Sequence, residues 1–277
     1  MSYLSAIILG IVQGVAEFLP ISSSGHLAIF QRFFGLVNAE ETNLFFDVLL
    51  HLGTLVAVFV AYRHEIGALL TEFFEMIRLK KTPEGKRPDY PSRRMILMLV
   101  VATLPLFLVL PVKDKVEGLY SNTFFIAGAL VVTGLLLFLS DRMGHGGKTE
   151  RNITLLDAVC IGFGQAIAVV PGLSRSGTTI SAGLARGLDR QFAVRFSFLM
   201  SIPAVLGANS LSLVDAAKGG IDWSLAPVYL VGVLVAAVSG YASIRLLKFI
   251  AERKSFGGFA YYCWGAGLVT LILSLVA

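Results

Sequence analysis

Charge is what this sequence has least of. Asp, Glu, Lys and Arg make up only 15% of its 277 residues, where a soluble globular domain carries about 25%. The 23 basic and 18 acidic side chains cannot cover the surface of a soluble chain of this length. Cysteine is nearly missing as well. Cys160 and Cys263 stand far apart in apolar segments, which excludes a disulfide-framed secreted fold and makes both core or lipid-facing residues. No Lys or Arg precedes Arg32, so the N-terminal stretch lacks the positive n-region of a signal peptide. A Walker-type glycine loop, a zinc-ligand spacing and a dinucleotide fingerprint are all missing. What is abundant is apolar: 56% hydrophobic residues and a mean hydropathy of +0.77. So apolar a chain would collapse rather than stay disordered. The composition reads as an all-α polytopic membrane protein, with lipid covering what the charges cannot.

A transmembrane helix needs about 20 mostly apolar residues. Charge-free windows run over 95–112, 118–140, 196–214, 223–244 and 255–277, and a sixth over 48–62 is broken only by His51. Two further apolar stretches are interrupted. Residues 1–31 carry Glu17, Pro20, three serines and His26; residues 158–185 carry Pro171, Gly172 and Ser174-Arg175-Ser176. Each has two short apolar arms about a polar break, too short to span comfortably. Each reads as a re-entrant helical hairpin, because irregular backbone at membrane depth is tolerated only where protein or a wet cavity satisfies it.

Basic residues set the orientation. Eighteen of the 23 fall in or beside the segments 63–94, 141–154, 186–195 and 245–254, against Arg32, Lys113, Lys115 and Lys218 on the other side. Lys and Arg favour the cytoplasmic side. Loop 63–94 as a nucleic-acid or acidic-lipid site is the competing reading, but its five acids dilute the basic patch, and no nucleic-acid partner is expected. The path is then consistent. Segment 1–36 enters from outside and returns there; spans 44–62, 93–112 and 120–140 run in, out and in. Segment 154–187 enters from the cytoplasm and returns; spans 193–214, 226–247 and 257–276 run out, in and out. Both termini are expected outside. The chain is one polytopic domain with inverted halves of about 1–140 and 154–277. Setting Gln13 on Gln165 also puts Gly10 on Gly162, Ala16 on Ala168, Ser22 on Ser174, Ser24 on Ser176 and Gly25 on Gly177. Inverted repeats place a site near the midplane, where broken helices meet.

The first break carries Gln13 and Glu17 on one helical face, Pro20 ending the arm, Ser22, Ser23 and Ser24 at the start of the returning helix, then Gly25 and His26. A carboxylate, hydroxyls and an imidazole together are the parts of a nucleophilic or acid–base site, and a helix N-terminus attracts anions. The plain alternatives are capping serines and a protonated, packed Glu17. An ionisable group inside a membrane is costly and points to function. In the second break Arg175 is the one basic residue expected at depth. Its planar fork suits phosphate oxygens, with Ser174, Ser176 and Thr179 as further donors and Gly177 allowing close backbone approach. A structural Arg175–Glu17 ion pair is the alternative, and it too would join the breaks.

Glu17-Phe-Leu-Pro-Ile-Ser-Ser-Ser-Gly-His26 and Pro171-Gly-Leu-Ser-Arg-Ser-Gly-Thr-Thr179 resemble the two signature motifs of the BacA-type undecaprenyl-diphosphate phosphatases. Phe46-Asp-Val-Leu-Leu-His-Leu-Gly-Thr54, Arg190 and Phe196-Ser-Phe-Leu199 are similar to neighbouring segments of that family, so the resemblance covers essentially the whole chain. One position departs from it: Gln13 stands first in the (Glu/Gln)-x-x-x-Glu pattern, leaving Glu17 as its only carboxylate. The resemblance implies hydrolysis of undecaprenyl diphosphate to undecaprenyl phosphate and inorganic phosphate. That step recycles the lipid carrier of cell-wall synthesis and confers bacitracin resistance. It also implies a bacterial cytoplasmic membrane and a site open to its outer face.

On that reading Ser23 is the favoured nucleophile, with Ser22 as second candidate. Glu17 orients or deprotonates it, or binds a divalent ion; His26 is a second acid–base group or the nucleophile itself. Arg175 clamps the diphosphate, supported by Ser174, Ser176, Thr179, Gln13, Ser24, Gly25 and Gly177. Mg²⁺ or Ca²⁺ is expected to arrive with the substrate rather than sit in a carboxylate cage, and no organic cofactor is expected. Membrane lipid, the polyprenyl diphosphate and a second copy of the chain are the expected partners. The alternative from another class is a transporter or flippase of an anionic or polyprenyl-phosphate substrate, since inverted repeats with broken helices suit transport. A purely structural subunit leaves the buried Glu17 and Arg175 without a purpose.

Overall fold

A computed structural model of the chain describes residues 1–34, 40–77, 91–143, 146–219, 222–252 and 255–276. Of the basic residues used for orientation, Arg78, Lys80, Lys81, Lys86, Arg87, Arg253 and Lys254 lie outside the described residues, as does the side chain of Lys218. Among the described residues every element is helical.

The first interrupted stretch folds as α1 (Tyr3–Phe18) and α2 (Ser23–Phe34), the second as α8 (Leu155–Ile167) and α9 (Arg175–Ala185). All four are too short to cross a bilayer comfortably. Local chemistry sets their ends. Ser2 caps α1 by accepting from the Ser5 amide, and α1 stops at Phe18 because Leu19, preceding Pro20, is extended. Thr154 and Asp157 form a capping box at the start of α8, and Ser174 caps α9.

Between the hairpins lie α3 (Glu40–Ala61), α4 (Arg63–Ile77), α5 (Pro91–Thr103), α6 (Lys113–Glu117) and α7 (Thr123–Arg142). The α-helical part of α5 ends at Thr103, and the chain continues through 3-10 turns that accommodate Pro105 and Pro111. After α9 come α10 (Arg190–Gly219), α11 (Ala226–Glu252) and α12 (Gly257–Val276). Among the described residues, five stretches are long and apolar enough to cross a membrane: Ser92–Ser121, Thr123–Arg142, Arg190–Val214, Trp223–Glu252 and Gly257–Val276. The pair α3–α4, bent by 84° at its break, is a sixth if counted as one span. Their outer faces are apolar, as with Leu234 and Val238 on α11 or Val269 and Leu275 on α12, all more than half exposed. Apolar faces that extensive need lipid rather than water. The chain is an integral, multi-pass membrane protein.

One expectation changes here. Segment 63–94 reads in sequence as a charged loop, but its first half is α4, turned sharply from α3. Ile66, Leu69, Leu70, Phe73, Phe74 and Ile77 recur at helical spacing, a stripe outweighed in the sequence by the charges around it.

The hairpins are held by close packing with the long helices. α1 lies along α11, α5 along α8, and α7 along α12, while α3 packs on both α10 and α11. Gly14 is needed for the first of these: a Cβ there would come within 2.6 Å of the Ala236 carbonyl oxygen and 2.7 Å of the Gly240 nitrogen. Behind the hairpins sits an apolar core in which Phe18 and Tyr62 both meet Phe198 edge-on, with centroids 5.4 and 6.0 Å apart. At the start of α8, fully buried Asp157 takes Lys148 Nζ at 2.8 Å and Arg186 Nε at 2.8 Å. This clasps the start of α8 to the end of α9.

Candidate active site

The two breaks meet. Ser24 Oγ accepts from the Gly172 amide at 3.4 Å, and Ser176 Oγ donates to the Leu19 carbonyl at 3.3 Å. Gly172 has a positive φ of 88°, which suits glycine. A Cβ on Gly25 would lie 3.1 Å from the Gly172 Cα, so the two backbones pass with no room between them. Thr133 of α7 locks the second break. Its Oγ1 donates to the Gly172 carbonyl at 3.3 Å and accepts from the Ser174 amide at 3.1 Å.

Glu17, at the end of α1, is the centre of the junction and only 7% exposed. Its Oε1 accepts from Arg175 Nη2 at 2.7 Å. Its Oε2 accepts from Ser23 Oγ at 2.7 Å and from Gln13 Nε2 at 3.1 Å. The Gln13 bond is the i, i+4 contact that one helical face provides. Three residues from the two hairpins thus converge on one carboxylate. Arg175 Nη1 is buried without a hydrogen-bond partner. A buried guanidinium nitrogen without a partner is an uncommon and costly arrangement.

The other residues expected at the site divide by what their side chains touch. Ser22, buried and at a positive φ of 74°, accepts from the Gly25 amide at 3.2 Å and caps α2. The serine that bonds Glu17 is Ser23. His26 has both ring nitrogens in contact with other groups. Its Nδ1 donates to the Ser22 carbonyl at 2.7 Å, and its Nε2 meets Tyr262 Oη at 2.8 Å. Ser174 Oγ accepts from the Gly177 amide at 3.0 Å, and Gly177 packs beside Pro20 of the other break. Thr179 Oγ1 is spent on the Arg175 carbonyl at 2.8 Å and on Ser197 Oγ at 2.7 Å. Ser174, Ser176 and Thr179 are each about 1% exposed. Their hydroxyls hold Arg175 and the break in place.

Three contributors go unnamed by the motifs. Tyr262 comes from α12, 236 residues from His26, and stacks on its ring with centroids 5.6 Å apart. Thr133 comes from the middle of α7. No local pattern announces either. His51 lies 3.8 Å from Glu17 Oε2. It had a visible sign, as the lone interruption of the 48–62 apolar window.

The donor set does not fit a resident divalent ion. Among the described residues no three His, Cys, Asp or Glu side chains are grouped to hold one. Both Glu17 oxygens already accept hydrogen bonds within the cluster.

A multi-pass helical protein that gathers serine, carboxylate and guanidinium at the junction of two broken hairpins is a membrane protein with the parts of a phosphoryl-transfer site. The family follows from the chain as a whole. The family model described as bacitracin resistance protein BacA matches residues 6–269, and the chain belongs to that family. It is 42% identical over 280 residues to the undecaprenyl-diphosphatase of Methanobrevibacter smithii, covering 99% of each chain. It is 40% identical over 278 residues to the undecaprenyl-diphosphatase of Alkaliphilus metalliredigens, covering 100% of each. The family read from the two motifs is the family of the whole chain.

Proposed function

We propose that this protein hydrolyses undecaprenyl diphosphate to undecaprenyl phosphate and inorganic phosphate, recycling the lipid carrier of cell-wall synthesis and conferring bacitracin resistance. The observation that carries this reading is the Ser23–Glu17–Arg175 cluster with its open Nη1. Ser23 Oγ attacks the terminal phosphorus and hands its proton to Glu17. The bridging P–O bond breaks, undecaprenyl phosphate leaves, and water then releases phosphate from Ser23. Arg175 holds the diphosphate through Nη1 while Nη2 stays on Glu17. Positioning and charge stabilisation of this kind are most of what phosphoryl transfer requires. Mg²⁺ or Ca²⁺ travels with the diphosphate as part of the substrate.

The same reading includes the arrangement in the membrane: six spans and two re-entrant hairpins, in inverted halves of about 1–140 and 154–277 within one domain. Exchange of equivalent packing pairs supports it. Under that repeat α1–α11 corresponds to α8–α5, and α7–α12 and α3–α10 each pair equivalent helices. The basic-residue asymmetry favours both termini outside the cytoplasmic membrane, with the site open to the outer face. The polyprenyl tail then stays in lipid while its head reaches the junction.

The test is phosphate release from undecaprenyl diphosphate by purified protein in detergent, where there are no two sides to transport between. Release supports hydrolysis. Binding without release would favour the transporter or flippase reading instead.

A further inference from the structure

His51 has no part in the roles assigned above, yet it points at the centre of the cluster. It lies on α3, with its Nε2 3.8 Å from Glu17 Oε2, the oxygen that accepts from Ser23. Its Nδ1 is 2.7 Å from the carbonyl of Asp47, one helical turn earlier. A carbonyl only accepts, so Nδ1 carries the hydrogen and the neutral ring presents a lone pair at Nε2. The ring is 28% exposed beside a 7% exposed Glu17, so it forms the more open edge of the cluster.

Arg175 makes this arrangement consequential. A proton resting on Glu17 would weaken its pairing with the guanidinium beside it. The proton that Ser23 gives up has a further place to go, because the His51 Nε2 lone pair lies beside the same carboxylate oxygen. The ionisable side chains facing His51 are Glu17 from α1 and Asp47 from its own helix, with Arg175 of α9 behind Glu17 and Tyr120 beyond Asp47.

We propose that His51 is a positioning and proton-holding residue that works through Glu17, completing a Ser23–Glu17–His51 relay. The proposal rests on the hydrolase reading above. In the first half-reaction the Ser23 Oγ–P bond forms and the bridging P–O bond breaks. The Ser23 proton passes by Glu17 Oε2 to His51 Nε2, and undecaprenyl phosphate leaves as an anion. In the second, a water oxygen bonds to phosphorus as the Ser23 Oγ–P bond breaks. His51 returns its proton by Glu17 to Ser23, and the released phosphate keeps both protons of the water.

The experiment compares kcat and KM across pH for wild type, His51→Gln and His51→Ala, using undecaprenyl diphosphate and folded protein verified by size-exclusion chromatography. The relay predicts a loss in kcat of about 10²-fold or more in both variants, as for general acid–base groups, with KM changed less than about threefold. It also predicts that the pH profile of kcat is altered in both. Wild-type kcat with an unaltered pH profile in His51→Gln would overturn it. So would a loss carried by KM, or one that Gln restores, since those mark a packing role. If wild type itself released no phosphate, the hydrolase reading would fail first and take the relay with it. An active wild type beside an unaffected His51→Gln defeats the relay alone.

Discussion

Arg175 Nη2 and Glu17 Oε1 lie 2.7 Å apart, although 158 residues separate them in sequence. This contact converts two half-sites on separate hairpins into one. The pair takes Nη2 and leaves Nη1 without a hydrogen-bond partner, so the ion pair and the proposed substrate clamp are compatible.

Breaking that pair from one side is expected to cost both stability and rate. Arg175→Ala leaves a buried carboxylate without its counter-charge, a loss of about 3–5 kcal/mol in buried pairs. Activity should fall by about 10³-fold, the scale for losing a preorganised donor. Arg175→Lys should recover little of it, because an ammonium cannot hold carboxylate and phosphate with one planar fork. Thermal unfolding in detergent and steady-state kinetics check the two effects. An Arg175→Ala protein with wild-type activity would remove the clamp.

Ser22 and Ser23 are adjacent and should behave oppositely. Ser22→Gly keeps the positive φ at no steric cost and loses a capping oxygen that glycine replaces with a penalty of only a few tenths of a kcal/mol. Its activity should remain within about threefold of wild type on that scale. Parallel phosphate-release assays of Ser22→Gly and Ser23→Ala decide it; collapse in the first and survival of the second would invert the assignment.

Tyr262→Phe removes one hydroxyl from His26 and leaves the stacked ring in place. A neutral hydrogen bond contributes about 0.5–1.5 kcal/mol, so a kcat loss of up to about tenfold is expected, with His26→Ala losing more. Equal and negligible losses in the two variants would make the His26–Tyr262 pair a packing detail.

Asp157 tests the scaffold apart from the chemistry. Asp157→Ala removes the capping box and leaves Lys148 and Arg186 without their shared acceptor. Both bases are about one-third exposed, so water relieves part of the loss, and a cost of about 1–3 kcal/mol is expected. Its melting temperature should drop while activity at low temperature persists.

The sequence reveals the breaks because their causes are local. Pro20 ends α1, Ser22 and Ser174 cap the helices that follow, and Gly172 takes a conformation suited to glycine. It reveals the membrane because scarce charge is a property of the whole composition. It leaves open which serine faces Glu17, since Ser22 and Ser23 differ only in backbone direction. It is silent on Tyr262 and Thr133, whose contacts depend on how α12 and α7 pack. It understates α4, because charges around the segment outweigh a stripe of apolar residues at helical spacing.

The most direct measurement of the central claim is single-turnover phosphate release from undecaprenyl diphosphate by detergent-purified wild type and Ser23→Ala. The account predicts one equivalent of phosphate released by the wild type, and a rate lower by about 10³-fold or more in the variant, the scale on which nucleophile loss is felt. Wild-type release from a folded Ser23→Ala protein would contradict it.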